Sequence, residues 1–492
     1  MLFNSYIFVL AFFPIVLIGW FELNHLKQYQ AAKVFLIVAS LFFYGYANWW
    51  YLLIIVFSVL LNYCFSSIML SDKPGCQKAR KLVFGLALAV NIGSLFFFKY
   101  FEFFISNVNA VFKTDLPFLQ IALPLGISFF TFQQLSYIID SYKRDNNIKK
   151  YNFIDYALFV TYFPKLLSGP IVTHDEMIPQ LGDESRKKFN SDNFAKGLYA
   201  FALGLGKKVI IADSFSLLVN QAFTDVSNLG TVNAVLVMLA YTFQIYFDFS
   251  GYSDMAIGIG KMMNIDIAIN FNSPYKAIGI IDFWKRWHIT LTRFFTKYIY
   301  IPLGGNRKGN VRTYVNIMIV FLISGIWHGA NWTFIVWGLL HGVANVITRA
   351  IDKKTGWFSL NKNKVLKVFL WLLTFIFINL TWVIFRSDSL GQAGEFFGQL
   401  VHFTGIKPDI ELLKTMYVGG FELLGRLIPK FSIVTGVGLF AFAFVACVFL
   451  KNTNMRTLAF KPTYPKALLT TGLLFWCIMS FAGVSSFLYW NF

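Results

Sequence analysis

Charge is what this 492-residue sequence has least of. Only 14% of its residues are charged, where a soluble domain carries about 25%. With 57% hydrophobic and 19% aromatic residues and a mean hydropathy of +0.59, this excludes a soluble chain; one of this length would form about two to four domains. Acids are scarcer still, 24 against 43 Lys and Arg, for a net charge of +19. Such an excess is compatible with nucleic acid, but its positions favour cytoplasmic loops facing anionic lipid, so no nucleic acid partner is expected. Cysteine is nearly absent: Cys64, Cys76, Cys447 and Cys477 show no zinc or redox spacing. There is no GxSxG elbow, no paired Cys/His nucleophile and no metal site. Neither a fixed-period repeat nor the half-to-half hydropathy symmetry of inverted-repeat transporters is visible.

What is abundant is apolar sequence in blocks of roughly 18–22 residues, the length that spans a ~30 Å hydrocarbon core. The reading is an all-α polytopic membrane protein, since a barrel would alternate over ~10-residue segments. Candidate spans are 4–22, 34–47, 49–70, 82–105, 121–140, 197–221, 231–250, 313–328, 330–349, 365–385, 431–450 and 467–489. The first block lacks a preceding basic residue and a cleavage site, and reads as a retained helix. Loops 71–81, 141–151 and 451–466 are basic and are expected in the cytoplasm. Loop 386–430 balances five bases with five acids and is expected outside, as are both termini. One membrane domain is expected: helices over 1–150, a motif-bearing core over 151–350 and further helices over 351–492.

The middle is irregular. Pro164, Gly169, Pro170 and Pro179 interrupt an apolar run, and 153–172 reads as a discontinuous or re-entrant segment, with an ordinary kinked helix as the alternative. In 261–312, Trp284, Trp287, His288, Leu291, Phe294, Phe295 and Tyr298 recur at helical spacing, with Arg286, Arg293 and Lys297 opposite. That pattern predicts a helix in the membrane interface, apolar face inward.

Histidine carries the site hypothesis. "SGIWHGANW" sets His328 between glycines, with Trp327 beside it and Asn331 beyond. The apolar run before it, Tyr314–Trp327, is short for a full span. His328 is therefore expected at mid-depth, at a helix break; an intramembrane ionisable residue is a functional hypothesis by default. Packing is the competing reading. His341 lies on a cleaner helical run and reads as an interhelical hydrogen-bonding residue. His174 follows the proline-broken segment and is a candidate to line its cavity. His25 and His402 read as surface residues.

"FDFSGYSDMAIGIGKMMNI", "NFNSPYKAIGIIDFWKRWHITLTRFFTKYIYIPLGGNRKG" and "FLISGIWHGANWTFIVWGLLHG" stand in this order. Together they resemble the membrane-bound O-acyltransferase (MBOAT) family, nearest the alginate O-acetyltransferase-like branch. The core of the resemblance spans 248–342. "FYGYANWWYLLIIVFSVLLNY", "LPLGISFFTFQQLSYIID", "FPKLLSGPI" and "FLYWNF" extend it over most of the chain. The resemblance implies the MBOAT fold: about 11–12 transmembrane helices around a central tunnel, with re-entrant and interfacial helices. It maps the family histidine onto His328 and a second histidine or polar position onto His288.

It implies an O-acetyltransferase in the bacterial cytoplasmic (inner) membrane. The acetyl group passes from a cytosolic thioester, acetyl-CoA being the expected donor, toward an exported or cell-envelope polysaccharide such as alginate, peptidoglycan or cellulose. No cofactor is permanently bound. An extracytoplasmic SGNH-type acetyl-carrier or transferase protein and membrane lipids are the implied partners. A sister branch moves D-alanine toward teichoic acid, which remains an alternative.

The residues suit this chemistry. Transfer from a thioester to a hydroxyl needs a base, and imidazole titrates near neutrality. His328 is the candidate base; His288 would orient it, polarise the carbonyl or bind the donor. Asn331 and Trp327 are candidate substrate contacts, Asn331 at the oxyanion or acceptor. Asp248 and Asp254 either fix a histidine or pair with basic residues. Arg286, Arg293, Arg307 and Lys308 would hold coenzyme A phosphates or lipid headgroups. A proton-coupled transporter and a non-catalytic export scaffold are the competing classes.

Overall fold

The computed structural model describes every residue except 145–147, 361, 404, 406, 420–427, 482–486 and 489–492, and only the backbone of 429–431. Asp145, part of loop 386–430 and part of the end of the last expected span therefore lie outside the described residues. Among the described residues there is no strand. Among the described residues seven helices are long and apolar enough to cross a membrane: Phe8–His25, Trp50–Met69, Pro74–Phe112, Thr231–Met262, Gly309–His328, Trp332–Thr355 and Lys364–Arg386. Shorter apolar helices cover Tyr29–Gly45 and Tyr464–Met479, and a further helix runs Pro429–Val448. The protein is an all-α, multi-pass membrane protein. Expected span 121–140 becomes a helix only from Ile127 to Lys143. Expected span 197–221 is a helix interrupted by a π turn over Lys207–Ala212.

The chain clusters into two compact units, Met1–Phe201 with Met255–Ala268, and Ala202–Asp254 with Ile269–Phe492.

In the first unit, polar side chains pin apolar helices together. Asn62 and Asn91 exchange amide hydrogen bonds of 3.2 and 2.7 Å between Trp50–Met69 and Pro74–Leu95, a favourable trade where no water competes. Lys33 pairs with Asp155 at 2.6 Å. The proline-rich segment is discontinuous, as expected. Helix Phe153–Thr161 stops at Tyr162, one turn spans Phe163–Leu166, and an extended stretch follows. All of 156–172 is buried, where non-helical backbone is tolerated. His174 is buried too, bonded to Asp140 and Tyr151 at 3.2 Å each. Its ring serves packing and hydrogen bonding within this unit.

In the second unit, helices Gly309–His328 and Trp332–Thr355 form a tight hairpin. A Cβ at Gly325 would lie 2.4 Å from the Phe334 carbonyl oxygen, and one at Gly338 would lie 2.5 Å from that of Phe321. Only glycine lets the two backbones meet so closely. The helix before the break is longer than its apolar run suggested. It begins at Gly309 and has 20 residues, so its rise is roughly 30 Å. His328 is its last residue.

Candidate functional site

His328 ends its helix because Gly329 is extended and Asn331 caps the next one. Asn331 Oδ1 accepts the Thr333 N–H at 3.0 Å, and its Nδ2 donates to the Asp388 carbonyl at 2.8 Å. The carboxamide expected at the oxyanion is thus engaged with two backbone groups. A Cβ at position 329 would fall 2.1 Å from the Phe334 ring, so any other residue there would have to displace that ring. His328 is 3% exposed. It meets Trp327, Trp337 and Phe385 edge to face, with centroids 4.9, 5.0 and 5.3 Å away.

His288 reaches the same neighbourhood from a broken segment. The single interfacial helix predicted around it is two short ones, Ile280–Trp284 and Ile289–Phe295, followed by a π turn over Thr296–Tyr300. The break lies at His288 itself, with φ of 44°, a left-handed conformation that costs a non-glycine residue energy. Asn270 stabilises it. Its Oδ1 accepts the Thr290 N–H at 3.3 Å and hydroxyl at 3.0 Å and lies 3.1 Å from His288 Nδ1, while its carbonyl accepts the Ile289 N–H at 3.0 Å. An oxygen taking those donors requires the His288 proton on Nδ1, which leaves the lone pair on Nε2. Burial pushes this imidazole, in the connecting segment between spans, down to about 3, so it is neutral at physiological pH. Its ring meets Phe249 at 4.8 Å and Trp327 at 6.0 Å. Trp327 therefore touches both histidines. The expected inward face is otherwise correct: Trp284, Trp287, Leu291, Phe294, Phe295 and Tyr298 are all buried.

His341 is placed differently. The Trp284 indole N–H donates to its Nδ1 at 3.3 Å, so Nε2 carries the proton and donates to Thr381 Oγ1 at 3.1 Å. It is the interhelical crosspiece expected.

The acids take the ion-pair alternative. Lys208 lies 2.7 Å from Asp248 and 2.8 Å from Asp213, and Asp248 also accepts the Leu488 N–H at 2.9 Å. Asp254 pairs with Lys207 at 2.6 Å. Among the described residues neither Asp248 nor Asp254 hydrogen-bonds a histidine. Arg286 is held by Asp282 at 2.9 Å, and Arg293 is exposed.

Sequence reasoning missed Asn270, Trp337 and Phe385, and also a cavity of about 280 Å³ lined by Trp284, Lys285, Ser324, Asn345 and Arg349 among others. Trp284 walls it from Trp337, 5.8 Å away, whose ring meets His328. The spacing Phe334, Trp337, Gly338, His341, Asn345 is one helix face and was legible. Asn270 is remote from His288 in sequence and gives no local signal.

The site can be set beside known proteins. Residues 126–386 match the MBOAT, membrane-bound O-acyltransferase family. The chain is 44% identical over 430 residues to the peptidoglycan O-acetyltransferase of Helicobacter pylori, covering 82% of this chain and 81% of the relative. It is 37% identical over 410 residues to the probable alginate O-acetylase AlgI of Pseudomonas aeruginosa, 82% and 75% of the two. A teichoic acid D-alanyltransferase of Streptococcus thermophilus is 29% identical over 295 residues, 54% of this chain and 68% of the relative. With a family model matching over half of the chain and relatives at 37–44% identity, the chain belongs to the MBOAT family and is an acyltransferase of the membrane.

Proposed function

We propose that the protein O-acetylates a cell-envelope polysaccharide from the bacterial cytoplasmic membrane, with acetyl-CoA or a related thioester as cytosolic donor. His328 takes the proton of the acceptor hydroxyl as its oxygen attacks the thioester carbonyl. The C–S bond then breaks, and the thiolate leaves with a proton. His288, its tautomer held by Asn270, presents Nε2 toward the same step and orients or polarises. The observation that carries this reading is Trp327, whose ring contacts both histidines beside the break at Gly329.

The cavity with Lys285 and Arg349 supplies cations suited to donor phosphates, beside Arg286, Arg293, Arg307 and Lys308, which the sequence offers for phosphates or lipid headgroups. Asp282 already neutralises Arg286. Peptidoglycan is the first acceptor to test, because the relative at 44% identity carries that name and those at 37% are named for alginate. An exported SGNH-type protein as intermediate acetyl carrier belongs to the same proposal.

Mass spectrometry of envelope glycans from cells with the protein, without it and with His328→Ala tests the reading. The expected result is loss of O-acetyl groups in both deficient strains. Unchanged acetylation in His328→Ala at normal protein level would overturn it. D-alanyl esters in place of acetyl would redirect the donor assignment.

A further inference from the structure

A larger cavity, of about 540 Å³, lies in the second unit away from the histidines. Its walls include Ile210, Phe247, Leu439, Phe442 and Leu473. Its polar lining is concentrated in Lys207, Lys451, Asn452, Thr453 and Arg456. Lys276 reaches this end as well, donating to the Leu450 carbonyl at 2.7 Å. Lys207 is neutralised by Asp254. Among the described residues no carboxylate lies within ion-pair distance of Lys276, Lys451 or Arg456. The end of the cavity therefore carries positive charge that the protein leaves uncompensated.

We infer that this cavity binds one anionic phospholipid, with an acyl chain against the apolar walls and the phosphate on Lys451 and Arg456. Three observations select that occupant. The volume falls within the roughly 300–1,000 Å³ of small-ligand pockets. The apolar wall and the cationic end reproduce the two halves of such a lipid. Lys451 and Arg456 belong to loop 451–466, which has four bases and no acid, the pattern of a loop facing an anionic cytoplasmic leaflet. A coenzyme A donor shares the phosphate chemistry, and displacement by acetyl-CoA in the test below separates the two. The bound lipid would tie helices Pro429–Val448 and Tyr464–Met479 to the helix bearing Phe247. The assignment does not depend on the acyl-transfer reading.

The test is native mass spectrometry of the full chain in neutral detergent with phosphatidylglycerol, phosphatidylcholine, inorganic phosphate or acetyl-CoA as probe. Phosphatidylglycerol should bind preferentially and resist displacement by acetyl-CoA and phosphate. The double change Lys451→Gln/Arg456→Gln should weaken it by about tenfold or more. Leu439→Trp, which fills the cavity with both cations intact, should weaken it as well. Melting without added lipid identifies any variant that fails to fold, and Lys451→Arg should bind as the wild type does. Equal binding of the two lipids, binding unchanged in both variants, or displacement by acetyl-CoA would overturn the assignment.

Discussion

His328 and His341 stand on the two arms of one helical hairpin, both buried and both ringed by aromatics, yet they are built for different work. His341 sits inside Trp332–Thr355, with Trp284 donating to one ring nitrogen and Thr381 facing the other. Its tautomer is fixed by partners within the protein, and what it offers is cohesion. His328 closes Gly309–His328, where Gly329 ends the ladder. Its ring is oriented by the edges of Trp327, Trp337 and Phe385, and Trp327 links it to His288. On the proposed function, burial does not separate a structural histidine from a reactive one; position relative to a helix break, and the company of a second histidine, do.

Four substitutions sharpen or break that comparison. His328→Ala should cost about 10²–10⁴-fold in O-acetylation, the scale of a lost general base, with protein level and melting temperature little changed. Ester-linked acetate measured per folded protein checks it. Asn270→Ala should come next, at about 10²-fold, because it releases the left-handed turn that presents His288. A normal melting curve with a lowered rate would mark it as a positioning residue.

Gly338→Ala should act through the fold, pressing a methyl against the Phe321 carbonyl. About 1–3 kcal/mol of stability should go, with activity per folded molecule nearly unchanged; thermal unfolding in detergent reads this. His341→Gln should be mildest. Glutamine can still accept from Trp284 and donate to Thr381, so the loss should stay below ~1.5 kcal/mol, with activity per folded protein within about twofold.

Much of this was legible in the sequence. Block length located most of the crossing helices, and the i, i+3, i+4 pattern placed Trp284, Trp287 and Leu291 inward, because apolar periodicity reports burial directly. The prolines marked the broken 153–172 segment for the same local reason. Three things escaped. The turn at His288 depends on Asn270, far back in the chain, and helical periodicity continues smoothly across it. The partners of Asp248 and Asp254 are Lys208 and Lys207, about 40 positions back on another helix, a pairing that only the tertiary packing sets. Asn331 caps the second helix of the hairpin, and Asn before "WT" and an apolar run is an N-cap pattern that stands beside the substrate-contact reading.

The central claim is that His328 performs the chemistry and His341 holds the hairpin. Its most direct test is O-acetyl transfer by membranes containing equal folded amounts of His328→Ala and His341→Gln protein. The expected result is no transfer above background for the first and near wild-type transfer for the second. Near wild-type transfer by His328→Ala, or abolition by His341→Gln in a protein that melts normally, would contradict the account.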